Sequence, residues 1–228
     1  MTATAEIRSI WRTSARLTRR GLVCALACSL AFSLAGPSAL GADRPRIVTM
    51  LGDSITAGYG LPAADALPAQ LAAALKRLGV GAVVRAAGVS GDTSADGLAR
   101  VGFSVQPDTE VCIVALGGND LLQGADPKAL YGNLRDIARK LKARGVTVIL
   151  AGMRAPPAIG AAYARQFDAV YPGVARAEHL VLYPYLLDGV ALDGRLNQRD
   201  AIHPNAAGVK IIAGRLAPVV ARTLAARR

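Results

Sequence analysis

From Arg46 onward the chain alternates between short apolar runs, mostly β-branched, and longer stretches whose apolar residues recur at helical spacing. Residues 47–51 read as a first strand, followed by a loop and a helix over roughly 65–78. Residues 82–86 read as a second strand, with a helix near 94–103. The run 111–116 is the third and most hydrophobic strand, which predicts a central position. A helix over 127–144 carries Leu130, Leu134, Ile137, Ala138 and Leu141 on one face, with Asp126-Pro127 as N-cap and first-turn proline and Gly145 as its stop. Strand four covers 146–150, a helix 159–177, strand five 180–183 and a last helix about 205–225.

Strands that are apolar on both faces and joined by helices call for a parallel sheet covered on both sides. Right-handed crossovers distribute those helices over two layers. The expectation is an α/β fold: a three-layer α/β/α sandwich with a five-stranded parallel sheet. Such sheets bind ligands at the carboxyl ends of their strands, so polar residues there are the first candidates for chemistry.

The first 42 residues follow a different pattern. Arg8, Arg12, Arg16, Arg19 and Arg20 precede an uncharged run whose apolar part, residues 22–34, spans 13 residues and ends at Gly36-Pro37. A membrane-crossing helix needs about 20 apolar residues. A basic stretch, a short apolar stretch and small residues make a secretory signal peptide, with cleavage after Gly41 or Ala42; an uncleaved anchor is the alternative. Thr18-Arg19-Arg20-Gly21-Leu22-Val23 resembles a twin-arginine export motif. Ala25-Leu26-Ala27-Cys28 is a poor lipid-attachment box. The domain division is then a signal peptide over 1–42 and one domain over 43–228, in the periplasm or secreted.

The formal charge of the 228 residues is +11. Setting residues 1–42 aside leaves 22 basic and 15 acidic residues, a balance of +7. The remaining basic residues are dispersed, and only 4% of the chain is aromatic, so stacking on bases has little to work with. The charge reads as a solvated basic surface, and no nucleic-acid partner is expected. Three cysteines, of which only Cys112 lies beyond the signal segment, exclude a disulfide framework. Cys112 reads as a buried small hydrophobe.

Four polar blocks fall at strand exits. Strand one runs into Gly52-Asp53-Ser54-Ile55, strand two into Gly88-Val89-Ser90-Gly91-Asp92, and strand three into Gly117-Gly118-Asn119-Asp120. The fourth, Asp200-Ala201-Ile202-His203-Pro204-Asn205, precedes the last helix. Each alone is only turn chemistry. Of the two histidines, His179 sits at the amino end of strand five, the wrong edge, whereas the long loop bearing His203 reaches the functional one. Asp200 is close enough to orient the imidazole, although Asp200 and Asn205 could also merely cap the last helix. With Ser54 as nucleophile, His203 as base and Asp200 as orienter, the N–H groups at Ser54 and Gly91 and the Asn119 amide would serve a developing oxyanion. No metal site has the required ligand spacing. Gly-x-Ser-x-Gly is absent, against an α/β-hydrolase elbow. Leu121 and Leu122, read as a flexible connection beside the serine, are candidate acyl-chain contacts.

Together the four blocks resemble the GDSL, or SGNH, hydrolase family over nearly all of residues 46–225. Gly-Asp-Ser-Ile-Thr-Ala-Gly-Tyr-Gly-Leu, Ser-Gly-Asp-Thr-Ser and Leu-Gly-Gly-Asn-Asp look most like its multifunctional bacterial esterase, acyl-CoA thioesterase and lysophospholipase subgroup. Ile55 replaces the leucine of the family name. The resemblance implies a flavodoxin-like sheet, Ser54, His203 and Asp200 as the triad, and an oxyanion hole of Ser54, Gly91 and Asn119. It implies hydrolysis of acyl esters or thioesters, with no cofactor, a small-molecule acyl substrate, transient contact with lipid and no obligate protein partner. A carbohydrate O-deacetylase or a silent envelope-binding module on the same fold is the alternative.

Overall fold

The computed structural model describes residues 45–227; the expected signal segment lies outside the described residues. Five strands form one parallel sheet: β1 (Arg46–Gly52), β2 (Ala82–Gly88), β3 (Val111–Ala115), β4 (Thr147–Ala151) and β5 (Val181–Tyr183). Their spatial order is β2-β1-β3-β4-β5, the flavodoxin-like order. The reversal point lies between β1 and β3, where such sheets open a crevice at the strand ends. β3 is central, as its apolar run predicts, and all five of its residues are buried. The edge strand β2 is only partly covered, with Val83 44% exposed.

The helices are α1 (Ser54–Ala57), α2 (Leu67–Arg77), α3 (Ser94–Ser104), α4 (Gly118–Leu122), α5 (Pro127–Lys142), α6 (Ala161–Glu178) and α7 (Ala206–Ala225). α2 packs beside α7, while α3, α5 and α6 pack in sequence with one another, giving the two outer layers. α5 buries Leu130, Leu134, Ile137, Ala138 and Leu141. Truncating one such leucine costs about 2–5 kcal/mol.

Local signals set the helix ends. Asp126 caps α5 by accepting from the Lys128 N–H, and Pro127 occupies the first turn. Thr93 and Asp96 close a reciprocal capping box at α3. α5 stops at Lys142, two residues short of the expected end, because its last turn tightens towards Gly145 at φ 74°. Cys112 is fully buried, and desolvation pushes its thiol up to about 12, so it packs as a hydrophobe.

One expectation is overturned. The segment after Asn119 is not a flexible connection but the short helix α4, closed by a Leu121 N–H to Gly117 C=O bond. Gly117, at φ 112°, makes the turn into it. The helix is held because Asp120 is buried and accepts from both the N–H (2.7 Å) and the hydroxyl (2.5 Å) of Ser94.

Candidate active site

The sheet brings three of the four polar blocks to one edge by construction. β1, β2 and β3 are in parallel register with Gly52 opposite Gly88 and Ala115. The residues following all three therefore emerge side by side. Asp53 caps α1 by accepting from the Ile55 N–H at 3.0 Å, and Ser54 is the first residue of that single turn.

The fourth block arrives through the irregular segment between β5 and α7. Buried Asn197 gives its amide hydrogens to the Val190 and Asp193 carbonyls. The Gln198 N–H donates to the His203 carbonyl at 2.8 Å, and Asn197 bridges Pro204. The Gln198 amide also donates to the Tyr59 carbonyl, tying this loop to the chain just past α1. Asn205 caps α7 by accepting from the Ala207 and Gly208 N–H groups. Asp200 does not cap that helix: it accepts from the N–H groups of Ile202 and His203, both at 3.0 Å.

The outcome is a linear chain of contacts. His203 Nε2 lies 2.8 Å from Ser54 Oγ, and His203 Nδ1 lies 2.7 Å from Asp200 Oδ2. The two backbone N–H groups and the imidazole hold the Asp200 carboxyl down at about 2. An ionised Asp200 can only accept, so the imidazole proton resides on Nδ1. Nε2 is then the acceptor facing the serine hydroxyl. His179 is elsewhere, exposed at the left-handed end of α6.

Asn119 and Gly91 line the same groove as Ser54 and His203, a space of about 350 Å³. Asn119 gives one amide hydrogen to the Asp92 carbonyl at 2.9 Å, which fixes the plane of the amide and leaves its second donor for another acceptor. Among the described residues no acceptor is found for the backbone N–H of Ser54 or Gly91. Such N–H groups suit an incoming anion.

Most of the remaining groove surface is apolar. Leu121 and Leu122 both line it, but not equivalently: Leu121 is half-buried against the core, whereas Leu122 is 63% exposed. Three further lining residues are not among the site candidates read from the sequence. Tyr59 packs against His203 with ring centroids 4.7 Å apart. Leu192 is 85% exposed and has a left-handed backbone at φ 65°. Asp53 is buried, and desolvation raises its carboxyl to about 6 against the opposing pull of the Ile55 N–H and His203. Its place in the serine block was visible, but its burial was not. Among the described residues no three His, Cys, Asp or Glu side chains gather where a metal ion could be held.

Comparison with known proteins gives the same architecture a lineage. The model of the GDSL-like lipase/acylhydrolase family matches residues 50–211. Esterase TesA of Pseudomonas aeruginosa is 39% identical over 156 residues, covering 68% of this chain and 78% of that protein. The Escherichia coli protein named thioesterase 1/protease 1/lysophospholipase L1 is 38% identical over 157 residues, covering 68% and 74%. A crystal structure of TesA superposes with a TM-score of 0.74 at 35% identity, covering 78% of this chain and 99% of the other. The chain belongs to the GDSL-like lipase/acylhydrolase family.

Proposed function

We propose that the protein is an exported serine hydrolase that cleaves acyl esters and thioesters through a covalent acyl-enzyme. The observation that carries this reading is the Ser54–His203–Asp200 chain, with contacts of 2.8 and 2.7 Å. Ser54 Oγ attacks the carbonyl carbon while His203 Nε2 takes its proton. The carbonyl oxygen becomes an oxyanion that accepts from the Ser54 and Gly91 N–H groups and the Asn119 amide. As the tetrahedral centre collapses, His203 returns the proton to the leaving alkoxide or thiolate. Water then attacks the acyl-serine with His203 again as base. Asp200 stays ionised throughout and stabilises the imidazolium.

The apolar groove supports an acyl chain as the part of the substrate that is held. Leu122, Leu192, Ile202 and Tyr59 line it and are all exposed. A cluster of exposed apolar side chains at one mouth suits an aliphatic ligand, and also transient contact with lipid. Lysophospholipids fall within this class. The names of the relatives, esterase and thioesterase, designate the same two bond types. Export is inferred from residues 1–42 alone, and N-terminal sequencing of exported protein should begin near Ala42 or Asp43.

A fluorophosphonate probe tests the reaction class. Intact protein should gain one adduct, on the peptide containing Ser54, and Ser54→Ala should gain none. Absence of labelling would favour a silent binding module on this fold. Labelling with turnover confined to acetylated sugars would favour an O-deacetylase.

A further inference from the structure

One side chain outside the groove connects three of the segments that build it. Arg100 lies on the second turn of α3, with its side chain 19% exposed. Its Nε donates to Asp92 Oδ2 at 2.5 Å. Nη2 donates to the Gly52 carbonyl at 2.8 Å, and Nη1 to the Ala87 carbonyl at 2.9 Å and the Ser104 hydroxyl at 3.0 Å. Gly52 ends β1, two residues before Ser54. Ala87 is the penultimate residue of β2, and Asp92 directly follows Gly91.

The connection extends one step further. The backbone carbonyl of Asp92 is the acceptor that fixes the Asn119 amide. The guanidinium is planar and rigid, so its donors constrain their acceptors jointly, unlike the point charge of a lysine. On the other flank of Asn119, buried Asp120 anchors α4 to the first residue of α3 through Ser94. α3 therefore braces both sides of the Asn119 side chain. Arg100 itself does not line the groove.

We propose that Arg100 is a positioning residue for the oxyanion hole, holding the Ser54 turn, the Gly91 N–H and the Asn119 amide in mutual register. This rests on the reading of Gly91 and Asn119 as oxyanion donors. Donors must be preorganised around the position the oxyanion will take, and displacements near 1 Å are felt strongly in rate. Removing Arg100 leaves substrate binding in the apolar groove intact and loosens the donors that act only as charge develops.

Four variants test it: Arg100→Met, Arg100→Lys, Asn119→Ala and the Arg100→Met/Asn119→Ala pair. Each is measured with p-nitrophenyl butyrate and with an alkyl trifluoromethyl ketone, whose serine adduct carries an oxyanion. Arg100→Met should lower kcat by about 10–100-fold with KM changed less than about twofold, and weaken the ketone by a similar factor. Arg100→Lys, which keeps a charge against Asp92 but cannot reach both carbonyls, should lose part of the same activity. The pair should lose at least about tenfold less than the product of the single losses, because the residues act as one unit. A lowered Tm with unchanged kcat, or fully multiplicative losses, would overturn the proposal. If Arg100→Met fails to fold, Arg100→Lys alone and paired with Asn119→Ala decides by the same criteria. Should Asn119→Ala leave kcat unchanged, the oxyanion reading falls and takes this proposal with it. An impaired Asn119→Ala beside an unimpaired Arg100→Met overturns the role of Arg100 alone.

Discussion

The ring of Tyr59 stands 4.7 Å from the imidazole of His203, tilted by 38°. Tyr59 follows the turn that carries Ser54, and its carbonyl accepts from Gln198 in the loop that carries His203. The two halves of the catalytic pair are thus joined by a side-chain-to-backbone hydrogen bond and by a ring contact that limits imidazole rotation. Tyr59→Ala should lower kcat about tenfold, within the range lost when a base is imperfectly oriented. The Tyr59 hydroxyl has no partner among the described residues, so Tyr59→Phe should behave as the parent. Steady-state kinetics on a short ester checks both; a fully active alanine variant would show that the ring is only packing.

Asp200 governs which nitrogen of His203 carries the proton. Asp200→Asn should lower kcat by about 10²–10⁴-fold, because an amide neither stabilises the imidazolium nor enforces the Nδ1 tautomer. The sign of the pH effect follows from the lowered carboxyl. A folded value of about 2 against the ordinary 3.8 means that the stabilisation by Asp200 is complete above pH 4. It is lost only as pH falls from about 4 to about 2. The acid limb of kcat/KM should therefore contain no ionisation of Asp200 above pH 4. A second ionisation appearing in that limb above pH 4 and vanishing in Asp200→Asn would contradict the hydrogen-bonding pattern seen here.

Asp53 has the opposite linkage. Its folded value near 6 lies above the unfolded 3.8, so the protein holds this proton more tightly when folded. Ionised Asp53 then weakens the fold progressively from about pH 4, and fully above about pH 6. Asn can accept the same Ile55 N–H bond without the buried charge. Urea unfolding should show the advantage of Asp53→Asn over the parent growing by roughly 2 kcal/mol between pH 4 and pH 8. A pH-independent difference would mean that the carboxyl carries no such ionisation cost.

Much of this architecture was legible because its determinants are local or periodic. β3 announces its central place by being apolar at every position, and Asp126-Pro127 and Asn205 mark helix starts with short-range chemistry. The serine, glycine, asparagine and histidine blocks were legible because each sits where a strand or a loop must end. What was not legible depends on contacts between segments far apart in sequence. Arg100 reads as an ordinary polar position on an amphipathic helix, and only the fold brings Gly52, 48 residues away, to its guanidinium. α4 reads as a loop because Gly-Gly-Asn-Asp favours turns, whereas its helical form depends on Ser94 reaching Asp120 across 26 residues. The segment from Leu186 to Val190 buries apolar residues without any period, so the sequence could show its length but not its path.

Leu192 combines two costs that the fold itself does not require, an exposed large apolar side chain and a left-handed backbone. A leucine in that conformation is disfavoured by about 1–2 kcal/mol, and glycine is not. Leu192→Gly should therefore keep or raise Tm while removing part of the apolar wall of the groove. Each methylene buried there contributes about 0.8 kcal/mol, roughly fourfold in kcat/KM per carbon. Across p-nitrophenyl esters from acetate to decanoate, the parent should gain with chain length until the groove ends. Leu192→Gly and Leu122→Ser should each flatten that rise while leaving acetate turnover near the parent value. Leu121→Ser should instead lower Tm, because Leu121 packs against the core. If the chain-length profile of both rim variants matched the parent, the acyl chain would have to lie elsewhere in the groove, against Met153 and Tyr185.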